Sequence, residues 1–93
     1  MIIACDLDGT LCESMDDWKD YLKAPPLLEN IEKLRRLRAN GNWITIYTAR
    51  PYQDIFVTEE WLATHNVPYD SLMMGKMRAD LYIDNDSKRM EEL

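Results

Sequence analysis

The chain of 93 residues has few cysteines, few basic side chains and no long apolar run, and each shortage excludes a class of protein. Two cysteines are too few for the disulfide framework of a small secreted domain, and neither has the spacing of a zinc site. Basic residues number 11 against 17 acidic ones, and the net charge of -6 argues against broad nucleic-acid binding. No segment reaches the length of a signal peptide or a membrane span. These absences favour a cytoplasmic protein with no membrane partner.

The composition nevertheless indicates a folded protein, because 46% of the residues are hydrophobic. The length suits a single domain over residues 1–93. A domain this short buries a modest fraction of its surface, so assembly into a homo-oligomer would add stability, although the sequence shows no partner. The net negative charge does not exclude a small phosphorylated substrate that is bound by a few nearby cationic side chains.

Short strands and amphipathic helices alternate along the chain. We predict strands at 2–5, 43–47, 72–74 and 81–83, helices at 27–38 and 53–65, and a short closing helix from 87. This order predicts the α/β class, with a parallel sheet and right-handed crossovers. Ligands of such sheets bind beyond the carboxyl ends of the strands. The polar residues that follow strand ends here are Asp6, Asp8, Thr48, Arg50, Lys76, Asp84 and Asp86.

The acidic residues at these strand ends suit phosphoryl transfer. Asp6 and Asp8 are separated by one residue, and a hard cation such as Mg²⁺ would offset their repulsion and accept Asp84 as a further ligand. One carboxylate in line with a phosphorus atom can attack it and form an aspartyl-phosphate. A second carboxylate can protonate the leaving oxygen and then activate water.

The other polar residues at the sheet edge suit phosphate binding. Thr48 can donate a hydrogen bond to a phosphate oxygen, and Lys76 can neutralise its charge. Gly9 lets the backbone turn sharply and approach the phosphate. Arg50 either contacts the phosphate or pairs with an acid such as Asp54, and the ion pair is slightly favoured. The residues predicted to bind substrate are Gly9, Thr10, Ala49 and Arg50.

Four segments together resemble the motifs of the haloacid dehalogenase superfamily of phosphohydrolases. The first is Asp6-Leu7-Asp8-Gly9-Thr10, after an apolar strand. The second is the strand Ile44–Thr48, the third is Lys76 and the fourth is the apolar stretch that ends at Asp84. All four follow the family's order and extend over nearly the whole chain.

The resemblance implies a role for each matched residue. Asp6 would be the nucleophile and a magnesium ligand. Asp8 would be the general acid and base, with its backbone carbonyl on the metal. Thr48 would bind the phosphoryl group, Lys76 would stabilise it and Asp84 would complete the metal site.

The resemblance also implies a three-layer, Rossmann-like parallel sheet with helices on both faces. The family usually adds a cap domain between motifs, whereas the corresponding gaps here hold only loops and single helices, so we expect a minimal, uncapped member. Paired acids are frequent at the fourth motif, but Asp84 is followed by Asn85 and then Asp86. Either of these two residues could support the metal.

The leading functional prediction is a Mg²⁺-dependent phosphomonoesterase that acts on a sugar phosphate or a nucleotide phosphate. The stretch Thr48–Pro51, with Thr58–Leu62, resembles small phosphatases of sugar-phosphate metabolism and also polynucleotide 3′-phosphatase domains. The latter activity is therefore one alternative, and a catalytically silent phosphate-binding relative is another. A receiver domain of the response-regulator type is rejected, because the middle strand has no aspartate at its end.

Overall fold

Three short strands and two α-helices alternate along the chain in the computed structural model, which describes residues 1–81, 83 and 88–93. Short 3-10 helices lie at Trp18–Lys23, Tyr52–Asp54 and Met90–Glu92. None of the helices in these ranges has the length and apolar character needed to cross a membrane. The strands and α-helices, in chain order, are β1 (Ile2–Cys5), α1 (Leu28–Ala39), β2 (Trp43–Tyr47), α2 (Ile55–Thr64) and β3 (Ser71–Met73).

The strands form one parallel sheet in the order β1-β2-β3, which confirms the predicted α/β, Rossmann-like class. Ile3 lies beside Ile44, and Ile46 lies beside Leu72. The segments that join the strands contain turns, isolated β-bridges, 3-10 helices and one α-helix each, so no cap domain is present among the described residues.

Both α-helices pack on the same face of the sheet. Two right-handed crossovers that proceed in one direction across a parallel sheet place their helices on one side. Accordingly, α1 buries Ile31 and Leu34, and α2 buries Trp61 and Leu62, in one hydrophobic cluster with Ile44 of β2. This cluster forms the core against which the loops after the strands are packed.

The opposite face of the sheet is open in the part of the chain that the structure describes. Its positions on β1, β2 and β3 include Ile2, Trp43, Tyr47 and Met73, all of them exposed. The helices that the sequence predicts on both faces are therefore seen on one face within residues 1–81.

Element boundaries differ from the sequence prediction by one or two residues, except at the end of the chain. The helix expected from residue 53 starts as a 3-10 turn after Pro51, and α2 begins at Ile55. In the stretch predicted as a fourth strand, Leu81 and Ile83 are exposed and outside any strand, and residue 82 lies outside the described residues. The closing helix is a single 3-10 turn in the described range 88–93.

Candidate active site

The loop after β1 carries the first motif, and the core holds its shape. The Leu7 carbonyl accepts hydrogen bonds from the amides of Thr10 and Leu11, at 3.1 and 2.8 Å. The Gly9 amide donates to the Cys12 carbonyl at 2.8 Å, and Gly9 has a φ of +80°, a left-handed value that favours glycine. Leu7, Leu11 and Cys12 are fully buried. The loop is therefore a fixed structure anchored by apolar side chains.

Asp6 stands at the carboxyl end of β1 with its carboxylate exposed to solvent. Its Oδ1 accepts a hydrogen bond from the amide of Leu7 at 2.9 Å, which orients the side chain from its own backbone. An exposed, oriented carboxylate in this position can act as a nucleophile or as a ligand for a hard cation.

Asp8 points to the interior and forms a two-pronged ion pair with Arg50. Arg50 Nε donates to Asp8 Oδ2 at 2.9 Å, and Nη2 donates to Oδ1 at 2.7 Å. The Asp8 side chain is 28% exposed, whereas that of Arg50 is 1% exposed. The ion pair expected for Arg50 therefore exists, but its partner is Asp8 and not Asp54.

Further groups enclose the Arg50 guanidinium. Nη1 donates to Thr58 Oγ1 at 3.1 Å, and this hydroxyl in turn donates to the carbonyl of Asp54 at 2.8 Å. The ring of Tyr21, from the 3-10 helix Trp18–Lys23, lies over the guanidinium at 3.7 Å. A cation in this position is attracted to the aromatic face. Direct contact between Arg50 and a substrate, as the sequence suggests, would require this side chain to move.

Cys12 adds a weak contact to the Asp8 carboxylate. Its Sγ lies 3.7 Å from Asp8 Oδ1. Burial, and next the negative charge of Asp8, raise the pKa of the Cys12 thiol to about 12. The thiol is therefore neutral near pH 7 and acts as a buried donor, not as a nucleophile.

The loops after β2 and β3 are joined by their backbones. Thr48 is buried, and its Oγ1 accepts from the Arg50 amide at 3.2 Å. The Lys76 amide donates to the Thr48 carbonyl, and the Gly75 amide donates to the Arg50 carbonyl, both at 2.9 Å. The Lys76 ammonium lies 5.3 Å from the ring centroid of Tyr47. The second and third motifs are thus adjacent, as the sheet-edge argument predicts.

Comparison with known proteins is consistent with this arrangement. A family profile described as haloacid dehalogenase-like hydrolase matches residues 3–69. The chain belongs to this family. Among curated proteins, none matches it.

Solved structures show the same relationship. A Vibrio cholerae protein of known crystal structure shares 32% identity, covers 98% of this chain and 85% of its own, and has a TM-score of 0.82. A chain of the Pnkp1/Rnl/Hen1 complex shares 25% identity over 90% of this chain, with a TM-score of 0.71, and this chain spans 30% of that one. A chain of the Pnkp1/Rnl/Hen1 RNA repair complex, at 22% identity and a TM-score of 0.70, shows the fold alone.

The donors available for a metal in this haloacid dehalogenase family member are only partly described. Asp6 and Asp8 provide oxygen donors of the kind that Mg²⁺ prefers, at the end of a parallel strand. Asp84, Asn85 and Asp86 lie outside the described residues. Among the residues that are described, no three His, Cys, Asp or Glu side chains converge to hold a metal ion. The chemistry of the donors fits magnesium, and the third ligand remains a prediction.

The remaining predicted residues lie on the same loops, and one contact was not foreseen. Gly9 is exposed, while Thr10 and Ala49 are half-buried. Asn30 Nδ2, from α1, donates to the Thr10 carbonyl at 2.8 Å and so ties the first-motif loop to a helix. In the sequence Asn30 is simply a polar position in an amphipathic helix, with no signal that points to the loop.

Proposed function

We propose that this hydrolase is a Mg²⁺-dependent phosphomonoesterase that acts through an aspartyl-phosphate on Asp6. The supporting observation is the mutual bonding of three loops. The Asp8–Arg50 ion pair joins the first loop to the second, and the bond from the Lys76 amide to the Thr48 carbonyl joins the second to the third. Asp8 and Lys76, 68 positions apart in the sequence, thereby lie at one edge of the sheet, next to the exposed carboxylate of Asp6.

In the proposed reaction, Asp6 is the nucleophile and Asp8 is first the general acid and then the general base. An Asp6 carboxylate oxygen attacks phosphorus, a new P–O bond forms, and the bond to the ester oxygen breaks as that oxygen takes a proton from Asp8. The Asp8 carboxylate then removes a proton from water, which attacks phosphorus and releases inorganic phosphate and Asp6. The side chain of Asp8 is partly exposed, which is compatible with proton exchange at this edge.

Charge at the phosphoryl group is balanced by the remaining residues. Thr48 donates to a phosphoryl oxygen, and Lys76 offsets negative charge on Asp6 and the phosphoryl group. Asp6, the Asp8 carbonyl and Asp84 would hold Mg²⁺, which would withdraw charge from the phosphate. Gly9, Thr10 and Ala49 would lie beside the substrate, while the Gly9 and Thr10 amides donate to the Cys12 and Leu7 carbonyls and hold the loop in shape.

The proposed substrate is a small phosphate monoester, such as a sugar phosphate or a nucleotide. The net charge of -6 disfavours long polyanions, since these bind basic surfaces. The alternative, a polynucleotide 3′-phosphatase, is consistent with the similarity to a chain of the Pnkp1/Rnl/Hen1 complex, of which this chain spans 30%. A silent phosphate-binding relative is a further alternative.

Hydrolysis assays test the proposal. The protein is offered p-nitrophenyl phosphate, sugar phosphates, nucleotides and 3′-phosphorylated oligonucleotides, with Mg²⁺ and with a chelator. We expect Mg²⁺-dependent turnover that Asp6→Asn abolishes and Asp16→Asn does not change, since Asp16 is an exposed acid outside the site. Binding of phosphate without turnover would identify the silent relative. Turnover that survives in Asp6→Asn would refute the nucleophile.

A further inference from the structure

Arg50 is a cation that the protein surrounds with its own groups. All three guanidinium nitrogens donate within the fold, Nε and Nη2 to Asp8 and Nη1 to Thr58. The ring of Tyr21 covers the remaining face at 3.7 Å, and the side chain is 1% exposed. In the described part of the chain, no buried side-chain nitrogen or oxygen lacks a hydrogen-bond partner. A phosphate could reach this guanidinium only by displacing one of these groups.

Burying the Arg50 guanidinium would be unfavourable without the ion pair and the hydrogen bonds that it forms. Removing a charged group from water costs several kcal/mol unless a partner and further hydrogen bonds compensate. The Asp8 carboxylate compensates here by accepting at both oxygens, which fixes the plane of the carboxylate as well as its position. A lysine could not do the same, because its ammonium is a point charge without a planar fork.

We infer that Arg50 is a positioning residue that holds Asp8 in the orientation from which it protonates the leaving oxygen, and that Arg50 itself does not contact substrate. This inference rests on the proposed phosphatase function and specifies how its acid is arranged. The step is the one given above: the Asp8 proton passes to the ester oxygen while its bond to phosphorus breaks. Arg50 gives up no proton and takes part only by fixing the Asp8 carboxylate.

The inference predicts that the activity lost on replacing Arg50 depends on the leaving group of the substrate. A nitrophenolate leaves readily without a proton, whereas the alkoxide of a sugar phosphate does not. General acid catalysis contributes roughly 10²–10⁴-fold where the leaving group needs it. A variant in which Asp8 is misaligned should therefore lose kcat/KM mainly on alkyl phosphates, because this parameter reports the steps up to departure of the leaving group. A substitution that only weakened the fold would lower both activities by the same factor.

The experiment compares kcat and KM of Arg50→Lys and Arg50→Met on p-nitrophenyl phosphate and on an alkyl phosphate that the wild type hydrolyses. We expect kcat/KM, which reports the steps up to departure of the leaving group, to fall about 10²-fold or more on the alkyl phosphate and less than about tenfold on the aryl phosphate, and Asp8→Asn to show the same pattern. Arg38→Lys is the matched control, because Arg38 pairs with Asp70 at 2.7 Å on the surface, outside the site. It should leave the ratio of the two activities unchanged.

Three results would overturn the inference while leaving the phosphatase proposal intact: equal losses of kcat/KM on the two substrates, a larger loss of kcat/KM on the aryl phosphate, or a gain in kcat/KM on the alkyl phosphate. Circular dichroism establishes folding first. If both Arg50 variants are unfolded, Thr58→Val removes the contact to Nη1, together with the bond from the Thr58 hydroxyl to the Asp54 carbonyl, and should shift the ratio in the same direction by a smaller factor. An unchanged ratio in that variant would then contradict the inference. A wild type inactive on both substrates would refute the proposed function itself.

Discussion

Trp61 should contribute more to the stability of this domain than any other single aromatic residue in its described part. The side chain is 0% exposed, and its Nε1 donates to the carbonyl of Ala24 at 2.9 Å. Trp61→Phe would leave that carbonyl unpaired in a residue that is 2% exposed, at a cost of about 1–3 kcal/mol. The void left by the smaller ring adds about 1–2 kcal/mol. The expected loss of about 2–5 kcal/mol is a large part of the roughly 5–14 kcal/mol typical of this length.

Thermal and urea unfolding, followed by circular dichroism, measure this loss. For a domain of this size a change of 1 kcal/mol moves the Tm by roughly 4–8 °C, so Trp61→Phe should lower it by about 10 °C or more. Trp43→Phe is the control, since Trp43 is 51% exposed and its Nε1 lies 3.4 Å from Ser71 Oγ at the surface. We expect that variant to change stability by less than about 0.5 kcal/mol. Equal shifts in the two variants would refute the reasoning.

Three further predictions concern a thiol, an ion pair and a glycine. Burial raises the pKa of Cys12 to about 12, so iodoacetamide at mildly alkaline pH should label it only in denaturant, and native labelling seen by mass spectrometry would contradict this. Hydrogen bonds from Arg38 lower the pKa of Asp70 in the folded protein. The ionised Asp70 therefore stabilises the fold above the unfolded-state pKa of this carboxyl, and the contribution is lost as the pH falls through the folded-state pKa. Asp70→Asn should therefore flatten the acid dependence of urea unfolding, and an unchanged slope would argue against the pair. Gly75→Ala and Gly41→Ala should each cost about 1–2 kcal/mol, since both glycines have positive φ, but only the former should lower kcat, because it precedes the predicted catalytic lysine.

The secondary structure of this chain could largely be predicted because its signals are local. The β-branched and aromatic run at 43–47 is the strand β2, residue for residue. The end of α1 was visible as Asn40-Gly41, and Gly41 has a φ of +93° as a helix-ending glycine requires. The start of α2 was less accurate, because Pro51 is followed by a 3-10 turn that a 3.6-residue period does not distinguish from helix.

The sequence predicted which loops form the site, but it did not predict which side chains contact each other there. The rule that polar residues after parallel strands meet at one sheet edge predicted that Thr48 and Lys76 lie together, and their backbones are bonded. The partner of Arg50 was expected four positions away, at Asp54, but it is Asp8, 42 positions away. Only tertiary packing brings those two side chains together, and no local pattern encodes it.

The contacts around Arg50 connect the core to the proposed acid, and this connection can be tested. The bond from Trp61 to the Ala24 carbonyl holds the segment that follows the 3-10 helix, and Tyr21 in that helix covers Arg50. A folded Trp61→Phe protein, assayed well below its Tm, should therefore show a smaller version of the leaving-group dependence expected of the Arg50 variants. Trp43→Phe should not show it. If Trp61→Phe loses stability but keeps the wild-type ratio of alkyl to aryl hydrolysis, the ion pair alone orients the acid, and the packing above it contributes only to the fold.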